Sequence, residues 1–193
     1  MSALSPFLPV PGDALLIVDV QRDFLPGGSL AVPCGDQVIE PMNTWISRLT
    51  AKSLPVFASR DWHPPDHCSF QPQGGVWPPH CIADTPGAAF DPRLELPAKV
   101  HVVTKADTAE VDAYSAFAGT RLHTQLQALG VRRLFVGGVA TDYCVLNSVL
   151  DARKLGYEVV LLLRAVRAVD AQAGDGERAV ARMRAAGALV CED

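Results

Sequence analysis

Short apolar runs alternate with helical patterns along most of the chain. Six runs, each bounded by turn-forming residues, are typical of strands that are buried on both faces. They span residues 14–19, 55–60, 100–104, 134–138, 157–163 and 188–191. Four stretches carry apolar side chains near the helical period, over residues 36–52, 120–129, 142–155 and 176–186. This alternation predicts an α/β fold with a parallel sheet, right-handed crossovers and flanking helices.

The stretch from Asp61 to Pro97 interrupts this alternation. It holds eight of the 15 prolines, four large aromatic residues and three of the five histidines. Proline disfavours the interior of both helices and strands. A loop of this length inside a compact domain is usually functional. We therefore expect one domain, residues 1–193, in which about residues 61–97 form a metal-binding loop.

Composition and charge narrow the class of protein. The chain has 193 residues, 20% charged residues and a formal net charge of -4, so we expect no nucleic-acid partner and no membrane partner. The five cysteines are an odd number without redox or zinc-ribbon spacing, which favours free thiols in a reducing compartment. The amino-terminal residues carry no export signal. We expect a cytoplasmic protein with a small-molecule substrate, and the apolar content permits a homo-oligomer without specifying one.

Chemically active side chains follow four of the predicted strands. Asp19 ends the first strand, Asp61 and His63 follow the second, Lys105 follows the third and Cys144 follows the fourth. The carboxyl ends of parallel strands meet at one edge of a sheet, and ligands bind there. We therefore expect these residues to converge on one site.

Cys144 is a candidate nucleophile. It follows a glycine-flanked strand end and lies at the start of a predicted helix, where Thr141 or Asp142 is positioned to cap. Free N–H groups and the helix dipole there would lower the pKa of the thiol and would stabilise an oxyanion. The alternative is a small buried hydrophobic residue, as most free cysteines are.

Asp19 and Lys105 are candidate partners of that thiol. A carboxylate at the end of a buried strand is poorly solvated and suits a general base, although a turn or capping aspartate is the alternative for Asp19. Lys105 is one of only four lysines against thirteen arginines. A desolvated lysine donates protons or stabilises anions, and the alternative is a surface lysine.

Asp61, His63 and His80 form a candidate metal site. One carboxylate and two imidazoles suit zinc, iron or manganese, with zinc favoured and water in the open positions. His67 is a further candidate ligand, but we prefer a supporting or solvent-facing role because two prolines stiffen its link to His63. Cys68, Cys81, His101 and His123 are interpreted as structural residues.

Six short motifs occur in an order that resembles nicotinamidases of the isochorismatase-like hydrolase superfamily. They are residues 19–24 (DVQRDF), 27–30 (GGSL), 61–63 (DWH), 77–81 (WPPHC), 112–117 (DAYSAF) and 138–144 (GVATDYC). The resemblance covers essentially the whole chain. It implies a three-layer fold with a six-stranded parallel sheet between helices.

The resemblance also implies roles for individual residues. The catalytic residues would be Asp19, Lys105 and Cys144, and the metal ligands would be Asp61, His63 and His80. Phe24 and Trp77 would sandwich a pyridine ring, and Tyr114 would also bind substrate. A cis peptide between Val139 and Ala140 would direct the N–H groups of Ala140 and Cys144 into an oxyanion hole. One departure is Ala106, where many members have glycine.

The implied reaction is the hydrolysis of nicotinamide to nicotinate and ammonia through a cysteine thioester, in NAD salvage, with pyrazinamide as a second substrate. Two alternatives stay open. One is an amidohydrolase of the same superfamily that acts on a ureido or carbamoyl substrate. The other is a non-catalytic binding module on the same fold. Ureido or carbamoyl amidohydrolases need not carry the metal ligands, so bound metal would distinguish the first alternative from a nicotinamidase. The intact set of catalytic residues disfavours the second alternative.

Overall fold

A six-stranded sheet forms the centre of the molecule in a computed structural model that describes residues 7–192. All of its strand pairs are parallel. The strands are β1 (Asp13–Val18), β2 (Val56–Asp61), β3 (His101–Lys105), β4 (Arg133–Val139), β5 (Glu158–Arg167) and β6 (Leu189–Cys191). Each of the six apolar runs in the sequence corresponds to one strand, and the parallel sheet is confirmed.

Helices cover both faces of the sheet. They are α1 (Ile39–Thr50), α2 (Leu122–Ala128), α3 (Leu146–Lys154) and α4 (Asp175–Ala185). Helix α1 packs on one face, where Met42 and Trp45 contact a core that includes Phe135. The other three helices pack on the opposite face around Leu16, with Met183 fully buried among them. The expected three-layer arrangement is therefore confirmed, and no helix among residues 7–192 is long and apolar enough to cross a membrane.

The strand order is β3-β2-β1-β4-β5-β6. The chain first moves outward from β1 to β3 and then returns to the other side of β1 with β4. This places the switch in strand order between β1 and β4, and a crevice at the carboxyl ends of such neighbours is the usual ligand site of an open α/β sheet. Gly138 allows the two strands to approach closely there, since a Cβ at this position would lie 2.0 Å from the carbonyl oxygen of Val18.

Two elements differ from the sequence expectation. Strand β5 continues to Arg167, beyond the apolar run that ends at Leu163, and its pairing with β4 shifts register between Val136 and Gly138. The expected helix over residues 142–155 divides into a π-helical turn, Thr141–Val145, and the α-helix α3. Neither Thr141 nor Asp142 caps it. The carboxylate of Asp142 instead accepts hydrogen bonds from the backbone after β5.

The proline-rich segment between β2 and β3 is largely irregular but well anchored. It contains two short 3-10 turns, Gln71–Gln73 and Pro86–Ala88. Single backbone bridges join His63 to Ile82 and Phe70 to Trp77. These contacts fold the segment back over the carboxyl ends of β1 and β2, where the candidate site lies.

Candidate active site

The expected convergence at the carboxyl edge of the sheet is present. Asp19 follows β1 directly, Asp61 and Lys105 are the last residues of β2 and β3, and Cys144 lies in the π-helical turn after β4. Asp61 and Lys105 are also register partners across β2 and β3. All four side chains are buried. A parallel sheet therefore brings together groups that are up to 125 positions apart in the sequence.

The ammonium of Lys105 lies at the centre of this cluster. Its Nζ is 3.0 Å from Oδ2 of Asp19 and donates hydrogen bonds to Asp61 Oδ1 and to the carbonyl of Ala113, the latter at 2.9 Å. It also lies 3.7 Å from Sγ of Cys144. Lys105 is 1% exposed, so the surface-lysine alternative is wrong.

Burial and charge act in opposite directions on the groups around Lys105. Burial alone would lower the pKa of Lys105, but the carboxylates of Asp19 and Asp61 outweigh it and raise this pKa well above its usual value. Burial raises the pKa of Asp19, which the charge of Lys105 offsets only in part. Ser59 donates a 2.7 Å hydrogen bond to Oδ1 of Asp19. Lys105 is therefore a permanent cation, and Asp19 is a carboxylate with an increased affinity for a proton.

The local backbone presents Cys144 to the cluster. The Val139–Ala140 peptide bond is cis, as expected, and the π-helical turn begins directly after it. The expected lowering of the thiol pKa is wrong. Burial raises the pKa of Cys144 well above its usual value, and the nearby charge of Lys105 offsets this only in part. Desolvation of the sulfur outweighs the helix start because Cys144 is enclosed between β4 and α3.

Asp61, His63 and His80 form a second cluster that shares Asp61 with the first. One ligand atom from each residue lies within 4.8 Å of the others. Nδ1 of His63 hydrogen-bonds the carbonyl of Ala106 at 3.0 Å, and Nδ1 of His80 hydrogen-bonds the carbonyl of Pro78 at 2.8 Å. Such bonds fix the tautomer and leave Nε2 as the ligand atom.

Two observations indicate that this cluster fits a divalent cation. Nε2 of His63 is buried and has no hydrogen-bond partner among the described residues. It lies 3.7 Å from Oδ2 of Asp61, a separation that a shared ion would occupy better than a direct bond. Burial alone would raise the pKa of Asp61, but Lys105 and His63 outweigh it and lower this pKa, which keeps the carboxylate anionic.

His67 lies beside this cluster but does not point a free nitrogen into it. Its ring is 4.1 Å from that of His63, while Nδ1 pairs with Oγ of Ser69 at 2.8 Å and Nε2 with the carbonyl of Val111 at 3.2 Å. The side chain is buried, so the solvent-facing alternative is wrong. The supporting role agrees with these contacts. Cys81 is also buried, as expected for packing.

Asp19, Asp61 and Cys144 form another set with the spacing of metal ligands. The ammonium of Lys105 already lies among these three groups, at the distances given above. A positive side chain therefore fills the position that an ion would take. Of these two sets, we therefore retain the Asp61, His63 and His80 cluster as the candidate metal site.

One cavity connects both clusters with aromatic side chains. Its lining includes Cys144 and Ala140 and also His63 and His80. Further aromatic and apolar residues of its lining include Phe24, Trp77, Tyr114, Tyr143 and Val169. A small molecule in this cavity would therefore have both the thiol and the metal cluster within its surroundings.

The aromatic walls are linked to each other. Nε1 of Trp77 donates a 3.1 Å hydrogen bond to the hydroxyl of Tyr114, and the Trp77 and Tyr143 rings meet edge to face at 5.3 Å. Phe24 also lines the cavity, with its ring 5.5 Å from that of His80. Phe24, Trp77 and Tyr114 thus all line the cavity, and the sandwich of a ring between Phe24 and Trp77 stays a prediction.

Sequence reasoning missed several residues that shape the site. Ser59 bonds Asp19, the carbonyl of Ala113 bonds Lys105, and the carbonyl of Ala106 orients His63. Backbone carbonyls carry no signal in the sequence. Tyr143 belongs to the motif at residues 138–144 and directly precedes Cys144. This position could have indicated that Tyr143 lines the cavity.

Comparison with known proteins places this architecture in a family. The model of the isochorismatase domain matches residues 13–192. Nicotinamidase of Escherichia coli is 40% identical over 202 aligned residues, with 94% of this chain and 95% of that protein covered. The similarity therefore extends over the sheet, the proline-rich loop and the cysteine turn.

Solved structures show the same similarity at the level of the fold. The crystal structure of pyrazinamidase of Pyrococcus horikoshii in complex with zinc is 44% identical, with a TM-score of 0.91 over 95% of this chain and 100% of that chain. The structure of PnC1 from L. infantum in complex with nicotinate is 38% identical, with a TM-score of 0.90 over 97% and 96% of the two chains. The chain belongs to the isochorismatase domain family.

Proposed function

We propose that this chain hydrolyses nicotinamide to nicotinate and ammonia, and that it also accepts pyrazinamide. One observation carries the proposal: a buried thiol lines the same aromatic cavity as an Asp/His/His metal cluster, and a lysine ammonium behind it contacts both the thiol and a carboxylate with a raised pKa. The similarity to a nicotinamidase and a pyrazinamidase along nearly the whole chain supports it.

Asp61, His63 and His80 would hold one divalent ion, with zinc favoured. When bound, the ion would bind the ring nitrogen of the substrate and so fix the orientation of the ring. The donor set, the orphaned Nε2 of His63 and the zinc bound to the P. horikoshii pyrazinamidase support this assignment. A thiol and a carboxylate base are already in place, so the attack itself needs no metal hydroxide.

The first half of the reaction uses Cys144 and Asp19. Asp19 accepts the proton of the thiol, and the sulfur forms a bond to the amide carbon. The N–H groups of Ala140 and Cys144 would bind the developing oxyanion. Asp19 then returns the proton to nitrogen, the carbon–nitrogen bond breaks, and ammonia leaves with a nicotinoyl thioester remaining on Cys144.

The second half consumes water. Asp19 takes a proton from the water, whose oxygen attacks the thioester carbon, and the carbon–sulfur bond breaks. The proton on Asp19 returns to the sulfur, which restores the thiol, and the product leaves as nicotinate after its carboxylic acid gives the second water proton to solvent. Lys105 keeps its charge throughout. It orients Asp19 and stabilises the negative charge that moves between the carboxylate and the sulfur.

Phe24, Trp77 and Tyr114 would hold the ring. Phe24 and Trp77 both line the cavity, and Tyr114 holds the Trp77 indole through its hydroxyl. A ring between them would have its carboxamide near Cys144 and its nitrogen near His63 and His80. The reaction of a small neutral amide also agrees with the formal net charge of -4.

The ureido or carbamoyl alternative is less well supported. Such a substrate has no ring nitrogen to bind a metal, and it has no aromatic ring to stack against the aromatic side chains of the cavity. The non-catalytic alternative leaves the buried Asp19, Lys105 and Cys144 arrangement without a purpose. Burying two carboxylates, an ammonium and a thiol is costly, which argues against a passive role.

Ammonia release over a panel of amides tests the proposal. Zinc-loaded protein should act on nicotinamide and pyrazinamide, and hydrolyse N-carbamoyl compounds at least tenfold more slowly. A preference for the carbamoyl compounds would favour the alternative, and no turnover of any amide would favour the binding module. We further propose that the chain works in NAD salvage in the cytoplasm, consistent with its five free cysteines.

A further inference from the structure

The amide of Gln21 is a buried polar group that the proposed reaction does not use. Gln21 follows Asp19 by two positions and its side chain is inaccessible to solvent. Its Nε2 donates hydrogen bonds to the carbonyls of Asp61, at 2.7 Å, and Ala88, at 2.8 Å. Its Oε1 accepts a 2.8 Å bond from the backbone N–H of Asp61. One side chain thus satisfies both backbone groups of Asp61.

This pattern reproduces the bonds of a missing strand residue. The pairing of β1 with β2 ends at Val18 and Ser59, so the backbone of β1 does not reach Asp61. On its other side, Asp61 is the register partner of Lys105 in β3. The Gln21 amide takes the place of the peptide that β1 would otherwise supply. Asp61 is therefore held on both sides, although it lies at the end of its strand.

The position of the Asp61 backbone controls two contacts of its carboxylate. Oδ1 accepts the bond from Lys105, and Oδ2 faces Nε2 of His63 at 3.7 Å. A rotation or shift of this residue would move an oxygen away from the histidines, and misplacement of about 1 Å is enough to weaken a site of this kind. The bond from Gln21 to Ala88 also ties the far part of the proline-rich loop to the same point.

We propose that Gln21 is a positioning residue for the metal cluster, acting through the backbone of Asp61. This inference rests on the proposed metal site. It assigns to a neutral side chain, which is not itself a candidate metal ligand, the task of setting the geometry in which Asp61 meets His63 and His80. Loss of the amide would then lower metal affinity even in protein that is fully folded.

The chain offers a matched control on its surface. Asn43 in α1 also bridges backbone groups, donating to the carbonyl of Arg93 and accepting from the N–H of Glu95, each at 2.9 Å. It does not line the cavity. Removing either amide deletes backbone-bridging hydrogen bonds, but only Gln21 reaches a candidate metal ligand. If Gln21 had only a structural role, removal of either amide would leave the metal affinity of the folded protein unchanged.

Zinc affinity of the purified full chain, measured by calorimetric titration after chelation, tests the proposal. We expect Gln21→Met to bind zinc about ten- to a hundredfold more weakly than the unsubstituted chain, as for other residues that support metal ligands. Asn43→Leu should change zinc affinity by less than twofold. The visible spectrum of the cobalt-loaded protein should shift for Gln21→Met and not for Asn43→Leu.

Gln21→Glu is the second variant, since it keeps the acceptor for the Asp61 N–H and loses both donors. Both Gln21 variants are titrated with zinc after gel filtration, so that only folded protein is measured. Zinc affinity within twofold of the unsubstituted chain in either folded variant would overturn the role of Gln21. A failure of the unsubstituted chain to bind zinc would instead refute the proposed metal site, whatever the variants do.

Discussion

Asp19 and Asp61 both lie at the carboxyl ends of neighbouring strands, but their pKa values are shifted in opposite directions. Each follows or ends one of two neighbouring strands, each is buried, and each contacts the ammonium of Lys105. Burial raises the pKa of Asp19, whereas the pKa of Asp61 is lowered. The same residue type, one strand apart, is thus suited to accept a proton in one case and to remain an anion in the other.

The difference arises from the donors around each carboxylate. Asp61 accepts a direct hydrogen bond from Lys105 and faces the ring of His63. Asp19 receives a hydrogen bond from the hydroxyl of Ser59, and its Oδ2 has no well-aligned hydrogen-bond donor among the described residues even though Lys105 is 3.0 Å away. A carboxylate with fewer donors gains more from a proton. Burial alone therefore does not decide the role of an acid, because its partners determine which protonation state is stable.

The largest effect should come from removing the thiol that Asp19 serves. Cys144→Ala should lower kcat for nicotinamide by a factor on the order of 10⁴ or more, since no other group in the cluster can form the thioester. Zinc affinity should remain within twofold, because Cys144 is not in the metal cluster. Intact-protein mass spectrometry after an acid quench should show a nicotinoyl adduct on the unsubstituted chain alone. Near-normal turnover by Cys144→Ala would refute the mechanism.

Exchange of each carboxylate for an amide tests the comparison directly. Asp19→Asn should lower kcat about 10²- to 10⁴-fold, because the amide cannot accept the thiol proton, and should leave zinc affinity nearly unchanged. Asp61→Asn should weaken zinc binding about ten- to a hundredfold. Steady-state kinetics and calorimetry on both variants give the two readouts.

The double variant sharpens this test. The double variant Asp19→Asn/Lys105→Met should have a kcat only slightly lower than that of the slower single variant, because we expect Asp19, Lys105 and Cys144 to act as one unit. Fully additive losses would show independent roles. Equal loss of zinc affinity in Asp19→Asn and Asp61→Asn would remove the distinction between the two acids.

A smaller effect should follow when the ligand lacks its contact with the metal cluster. Benzamide has the shape of nicotinamide without the ring nitrogen. The zinc-loaded chain should hydrolyse it with a kcat/KM lower by about ten- to a hundredfold, as for a lost polar contact of ~1–3 kcal/mol. His63→Ala should reduce that preference. Equal rates for benzamide and nicotinamide would show that the metal cluster does not recognise the ring.

The smallest effect concerns the backbone that orients His63. Ala106 has a φ of 50°, in the left-handed region that favours glycine. Ala106→Gly should relieve this strain but also lose a buried methyl group, for a net gain of up to about 1 kcal/mol in the free energy of unfolding. Urea denaturation measures it. The control Ala181→Gly, on the exposed side of α4, should lower the free energy of unfolding by about 1 kcal/mol. An equal decrease for Ala106→Gly would show that the backbone of Ala106 is not strained.

The pattern of apolar runs was sufficient to predict every strand. The central strands β1 and β4 are buried on both faces and have a continuous apolar signal, whereas the edge strands β3 and β6 are partly exposed and were found from shorter runs of β-branched and apolar residues. The extension of β5 through Arg164 was missed, since charged residues interrupt the run there. The π-helical turn was missed because its residues have the same apolar spacing as an α-helix. For the site, residue types at strand ends were enough to find Asp19, Asp61, Lys105 and Cys144.

The sequence could not predict the electrostatic state of those groups. A thiol at a helix start was expected to have a low pKa, but three-dimensional burial reverses the direction for Cys144. In the same way, a lysine after a strand was as compatible with solvent as with the interior until its four partners were known. Such properties depend on contacts between distant segments, which no local pattern contains.

The position of Lys105 has a consequence for how the two halves of the site are supplied with positive charge. Asp19 and Cys144 have a cation that is part of the polypeptide, so that charge is present whenever the chain is folded and cannot be removed by a chelator. In the proposed function, His63 and His80 would instead need a metal ion taken up from solution. A shortage of metal would then leave the proposed bond-breaking half of the site assembled and would remove only the half proposed to recognise the ring.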